Sequence, residues 1–175
     1  MIRKCTERDF SAIHAVINEA AQAYRGVIPE DRWHEPYMPM DELKQEIASG
    51  VEFWGVEEAG NLLGVMGLQD KGDVYLIRHA YVVTSRQSRG IGTRLLRCLE
   101  ELTDKPILIG TWADAAWAVQ FYRKNGYRLL SHRETGRLLK KYWKIPERQI
   151  ATSVVLANSK WRPDRKNGDD GPKTD

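Results

Sequence analysis

The chain has 175 residues, enough for one domain with a sizeable hydrophobic core. Its formal net charge is only +3, far short of the dense basic stripe that marks a nucleic-acid binder. Its two cysteines, Cys5 and Cys98, form no CxxC pair and no His cluster has ligand spacing, which argues against a disulfide framework and against a bound metal.

Residues 2–5 suit a short first strand. From Glu7 onward, Phe10, Ile13, Ile17, Ala20 and Tyr24 recur at helical spacing and predict an amphipathic helix. Pro29, Pro36 and Pro39 then break regular structure between Arg25 and Met40. Asp41 is placed to cap a short helix carrying Leu43 and Ile47, closed by Gly50. Val51 to Glu57, Leu62 to Gln69 and Val74 to Val83 read as a three-stranded antiparallel meander, with turns at Gly60-Asn61 and Asp70-Lys71-Gly72-Asp73.

After the meander the period changes. Leu95, Leu96, Leu99 and Leu102 predict a helix over 90–102, and Ile107 to Thr111 is a short apolar strand of the buried kind. Ala115 to Asn125 reads as a second helix with Gly126 just beyond its end, and Tyr127 to Leu130 and Thr152 to Leu156 as the last strands. The segment Gly136 to Gln149, with its basic and aromatic run Leu138 to Trp143, fits no element on pattern alone. Residues 158–175 are polar and almost free of aliphatics, so a disordered tail is expected there and a single α/β domain over 1–157. The N-terminus lacks the apolar core of a signal peptide, and no apolar run approaches the roughly 18 residues that span a bilayer. A cytoplasmic protein with no membrane partner is the expectation.

The loop Gln87-Ser88-Arg89-Gly90-Ile91-Gly92-Thr93 joins the third meander strand to the first helix after it. The opening amides of a helix have no internal acceptors, and the helix dipole adds about half a positive charge there. Gly90 and Gly92 let an anion lie on the backbone, Thr93 offers a hydroxyl, and Arg86, Arg89 and Arg94 add charge. The loop therefore reads as a diphosphate cradle. It is not Gly-x-Gly-x-x-Gly, because Leu95 stands at the third glycine, and it lacks a Gly-Lys-Ser/Thr P-loop.

Gln-x-x-Gly-x-Gly, here Gln87 to Gly92, resembles the acetyl-CoA loop of the GCN5-related N-acetyltransferases. Ala118-Val119-Gln120-Phe121-Tyr122, closing on Gly126-Tyr127, is similar to the end of the same family's next helix, and the two motifs lie about thirty residues apart. The order of elements is similar from about Ile2 to Leu156. The resemblance implies a GNAT-like α/β fold, a mixed and mostly antiparallel central sheet flanked by helices, with acetyl-CoA as co-substrate. It implies that the backbone of Tyr81, Val82 and Val83 pairs with the pantetheine arm, that Gln87 to Thr93 hold the pyrophosphate, and that Tyr122 is general acid for the departing thiolate. One departure stands at Ala115, where the family has an asparagine that helps to bind the cofactor.

An N-acetyltransferase needs a base for its amine, and His79, Glu52 and Asp114 are the candidates, with His79 titrating in the useful range. The irregular segment containing Tyr24, Trp33 and Tyr37, together with Trp54 and Trp112, is expected to wall the acceptor pocket for a small-molecule or peptide amine. A non-catalytic acyl-CoA sensor is a second reading, left open by Ala115. A nucleic-acid binder using Arg137, Lys140, Lys141 and Lys144 is a third, and nucleic acid is not the expected partner. A homodimer is compatible with the sequence.

Overall fold

Among the described residues seven strands form one sheet, and amphipathic helices cover both of its faces. The computed structural model describes residues 1–163. In chain order the elements are β1 (Ile2–Lys4), α1 (Phe10–Ala20), α2 (Met40–Ala48), β2 (Val51–Glu58), β3 (Asn61–Asp70), β4 (Tyr75–Val82), α3 (Ile91–Glu100), β5 (Ile107–Trp112), α4 (Ala116–Lys124), β6 (Arg128–Leu129), α5 (His132–Tyr142), α6 (Glu147–Ala151) and β7 (Ser153–Ala157). The strand order is β1-β2-β3-β4-β5-β7-β6. Every pairing is antiparallel except that of β4 with β5.

Three of the four apolar clusters among the described residues fill the space between sheet and helices. On one face, Met66, Leu68, Ile77 and Ile109 meet Leu95, Leu96 and Leu99 of α3 and Tyr122 of α4. On the other face, Val51, Phe53 and Val65 meet Ile13, Val16 and Ile17 of α1 and Leu43 of α2. Beside that second layer, Leu76, Leu108 and Val155 pack on Leu138, Leu139, Tyr142 and Trp143. Each such side chain, once fully buried, contributes roughly 1.5–3 kcal/mol before entropy is counted.

The segment Gly136 to Gln149, which fitted no element, holds the latter half of α5, a short link and the start of α6. In α5, Thr135, Leu138, Leu139 and Tyr142 carry the buried stripe at i, i+3, i+4 and i+7, with Lys140 and Lys141 exposed between Leu139 and Tyr142. Ser131 caps it by accepting the Glu134 N–H at 3.2 Å. Lys140 pairs with Glu147 and Lys141 with Asp73, so both lysines are partnered within the chain. At α2, Asp41 lies in the first turn and Pro39 holds the cap position expected of the aspartate. Within the expected tail, residues 158–163 pack on the domain: the Asn158 side chain accepts the Ile107 N–H and Trp161 is buried. The remainder of that tail lies outside the described residues.

The parallel pair β4 and β5 touches only at Tyr75, Leu76 and Ile77 opposite Ile107, Leu108 and Ile109. Beyond Ile77 the two strands run on without pairing, and a wedge opens between them. On its other edge β4 carries a bulge: Arg78 faces Gly67 and Tyr81 faces Val65, so His79 and Ala80 share the single partner Met66. His79 takes the left-handed conformation there, with φ +54°. Gly67 makes the bulge possible, because a Cβ on it would stand 2.7 Å from both the Arg78 carbonyl oxygen and Val51 Cγ1. Gly67→Ala is accordingly expected to cost about 1–3 kcal/mol in a urea melt, as overpacking does.

Candidate active site

The loop after β4 is shaped by contacts of its own. The Gln87 amide donates to the Val82 carbonyl at 3.1 Å, and the Thr84 N–H donates to the Glu19 carboxylate at 3.0 Å, tying the loop to α1. Arg86 pairs with Glu58 at 3.2 Å. Ser88 and Gly90 both have positive φ, +62° and +77°, which curls the backbone ahead of α3. A loop so curled can turn its amides toward an anion. Nothing lies within 4 Å of a Cβ built on Gly90, so this glycine answers to its backbone conformation and not to crowding.

Gly92 is different. A Cβ there would meet Phe121 Cζ at 3.1 Å, so this glycine lets α3 pack closely on α4. The first turn of α3 carries no acidic residue, and its amides open onto a cleft of about 520 Å³. Arg86, Gln87, Ser88, Gly90, Ile91 and Thr93 edge that cleft, with Val82, Trp117 and Phe121 along its sides. Free helix-end amides, a curled loop and an arginine suit a diphosphate. Arg89 and Arg94 are exposed and do not line the cleft.

A second cleft of about 150 Å³ lies in the wedge between β4 and β5. Tyr37, His79, Thr111, Trp112, Leu139 and Trp143 are among the residues around it. The two clefts share Tyr24, Ala80, Tyr81, Ala118 and Tyr122, and so meet at that point. Tyr122, on α4, is 6% exposed and packs edge-on against Phe121 and Tyr127. Burial raises its pKa above the phenol range. Burial also pushes Tyr24 up to about 12. The Trp112 indole donates to the Tyr37 hydroxyl at 3.0 Å, holding the far wall.

At the bulge, His79 Nε2 lies 2.9 Å from Glu46 Oε2 of α2, and its ring stacks on Phe53 with centroids 6.1 Å apart. Arg78 Nη1 reaches the same Glu46 oxygen at 3.2 Å and Gln69 Oε1 at 3.3 Å. A regular strand would send Arg78 and His79 to opposite faces; the bulge brings both to α2.

Of the residues expected in the site, Tyr24, Tyr37, Trp112, His79, Tyr81, Val82, Tyr122 and most of the Gln87–Thr93 loop line one or both clefts. Trp33 and Trp54 line neither. Trp33 stacks behind Tyr37, 5.8 Å between centroids, and Trp54 packs against the core cluster under α3. Val83 packs toward α1. Glu52 is exposed and paired with Lys4 at 2.9 Å, and Asp114 is exposed, so neither reaches the clefts as a base. Ala115 is fully buried in a cluster with Ile28 and Trp112 and lines neither cleft. Leu139, Ile145 and Gln149 also line the second cleft, although nothing in the sequence pattern singles them out. They come from the segment whose helix the pattern did not disclose.

A mixed sheet split between two parallel strands, with a helix start at the split, defines a single-domain α/β enzyme scaffold. Residues 13–137 match the family model described as "Acetyltransferase (GNAT) domain", and the chain belongs to this family of acetyltransferases. Among solved structures, a PaiA N-acetyltransferase from Thermoplasma acidophilum in complex with coenzyme A has a TM-score of 0.68 at 19% identity, covering 90% of this chain and 97% of that one. The ribosomal-protein-S18-alanine N-acetyltransferase of Escherichia coli gives 0.61 at 13% identity, covering 96% and 99%. N-acetylglutamate synthase from Neisseria gonorrhoeae, complexed with coenzyme A and N-acetyl-glutamate, gives 0.62 at 19%, covering 93% of this chain and 35% of that one. These likenesses show the fold. No curated protein matches the sequence.

Proposed function

We propose that the protein is an acetyl-CoA-dependent N-acetyltransferase acting on a primary amine of a small molecule or peptide, by direct attack on the thioester. The observation that carries this reading is the meeting of two clefts at Tyr122, one edged by the diphosphate-type loop and the other by an aromatic wall. The loop and the opening amides of α3 would hold the pyrophosphate. The edge of β4 left unpaired beyond Ile77 would receive the pantetheine arm as an added strand.

An alkyl amine with a pKa of about 10.4 is neutral in roughly one molecule in a few thousand at pH 7, a deficit of about 4–5 kcal/mol. His79, lining the acceptor cleft, is the base that offsets part of it. The amine nitrogen attacks the carbonyl carbon, the new C–N bond forms, and the C–S bond breaks with its electron pair leaving on sulfur. Tyr122 faces that sulfur. Its raised pKa makes full proton transfer to a thiolate, whose conjugate acid titrates near 8.5, uphill. Its hydroxyl therefore acts as a hydrogen-bond donor to the developing negative charge, and solvent completes the protonation.

Titration calorimetry tests the donor half. Acetyl-CoA and CoA are expected to bind with micromolar affinity while NADH does not. Failure of both CoA species to bind would end this reading. Tight binding without turnover on a broad panel of amines would favour a non-catalytic acyl-CoA sensor instead.

A further inference from the structure

We propose that Glu46 is a positioning residue for His79, fixing the imidazole tautomer with its proton on Nε2 so that the Nδ1 lone pair takes the proton of the acceptor amine. This rests on the assignment of His79 as the base. The argument begins with what each group can do. An ionised carboxylate only accepts hydrogen bonds, so the nitrogen 2.9 Å from Glu46 Oε2 must donate. A neutral imidazole carries one N–H, and with that proton on Nε2 the lone pair resides on Nδ1. Nδ1 has no hydrogen-bond partner among the described residues and is not sealed from solvent, unlike Nε2 of His14, which is buried without a partner. His79 also lines the cleft where the acceptor would enter.

The surroundings explain why the pair holds its geometry. The bulge places His79 at φ +54°, a conformation uncommon outside glycine, though histidine tolerates it better than most. Phe53 stacks on the ring and restrains its rotation. The charged neighbours are Arg78 on the same strand, bound to the same Glu46 oxygen, and Glu42 of α2, which acts on Arg78 and Tyr37. The Tyr81 hydroxyl is neutral, its pKa raised by burial, and Gln69 from β3 carries no charge. Burial raises the Glu46 pKa, but its interactions with His79 and Arg78 outweigh it, so the carboxyl titrates below its usual range. Glu46 is therefore anionic at neutral pH. When the amine attacks, the proton leaving nitrogen goes to Nδ1, and the resulting imidazolium is stabilised by Glu46 until solvent removes the proton.

Two measurements on the intact protein test this. Long-range ¹H–¹⁵N spectra report the His79 tautomer without any acceptor: the parent should show protonated Nε2, and Glu46→Ala a mixture of both tautomers. The second measurement is acetyl transfer from acetyl-CoA to n-butylamine across pH. His79→Ala should lower kcat/KM by about a hundredfold, the lower range for a general base. Glu46→Ala should fall in the same direction, and the double variant should be no worse than His79→Ala alone. Glu46→Gln keeps the shape and the acceptor oxygen but removes the charge, so the acid limb of its kcat/KM profile should move to lower pH, while a purely structural Glu46 would leave that limb in place. Protonated Nδ1 in the parent, or an unmoved acid limb in Glu46→Gln with His79→Ala still impaired, would overturn the role of Glu46 alone. Full activity in His79→Ala would overturn the assignment of the base, and this inference with it.

Discussion

Tyr122→Phe is expected to lower kcat for acetyl transfer by roughly 10²–10³-fold, the loss typical of removing one donor aimed at charge in a transition state. Phenylalanine fills the same buried space between Phe121 and Tyr127, so the packing of α4 survives and only the hydroxyl is lost. Because the sulfur is anionic only as the bond breaks, acetyl-CoA affinity should stay within about twofold of the parent, with kcat and kcat/KM falling together. Calorimetry gives the first quantity and thiol release the second. A variant that turns over like the parent would remove Tyr122 from the chemistry and leave it a wall of the junction. A variant that loses acetyl-CoA binding would make it a binding residue.

Gly90→Val should cost the protein its donor. The position has φ +77° at the residue preceding α3, a left-handed conformation that costs a side-chain-bearing residue roughly 1–2 kcal/mol and a β-branched one more. The surrounding space is open, so no clash confounds the result. Relaxation of the backbone would carry the first amides of α3 out of line, and one lost charge-assisted contact is worth about a tenfold rise in Kd or more. The measurement is calorimetric titration with acetyl-CoA beside a thermal melt. A parent-like Kd in a folded Gly90→Val protein would show that the loop does not grip the diphosphate. The contrast is Gly92, where Cβ meets Phe121 and a substitution reports on packing of α3 against α4.

Much of the scaffold was legible because its signals are local. The leucines of α3, the alternation of the meander and the run Gln87 to Gly92 each lie within a dozen residues. α5 contains Gly136, a poor helix former, and its burial depends on Leu76, Leu108 and Val155, far away in the chain. The tryptophans show the same limit. Trp54, Trp112 and Trp143 look alike in sequence, and only strand order puts the second and third at the wedge and the first under α3. Glu46 stands 33 residues from His79, in a helix whose pattern marks it as one more surface acid. The bulge that joins them leaves its trace at Gly67, a glycine inside a strand, whose meaning appears only once Arg78 lies opposite it.

β4 and β5 share three residue pairs, and both clefts lie against the part of β4 beyond them. The phosphate-type loop hangs from β4 and α3, whereas Leu139, Trp143, Ile145 and Gln149 of the second cleft come from 132–151, a stretch packed on Leu76 of β4, Leu108 of β5 and Val155 of β7. The two halves can thus change at separate rates. Descendants of one gene could exchange the later segment and meet new amines while the handling of the donor passed on unaltered, and a graft of 132–151 between distant members of the family is the way to carry one acceptor preference onto another's frame.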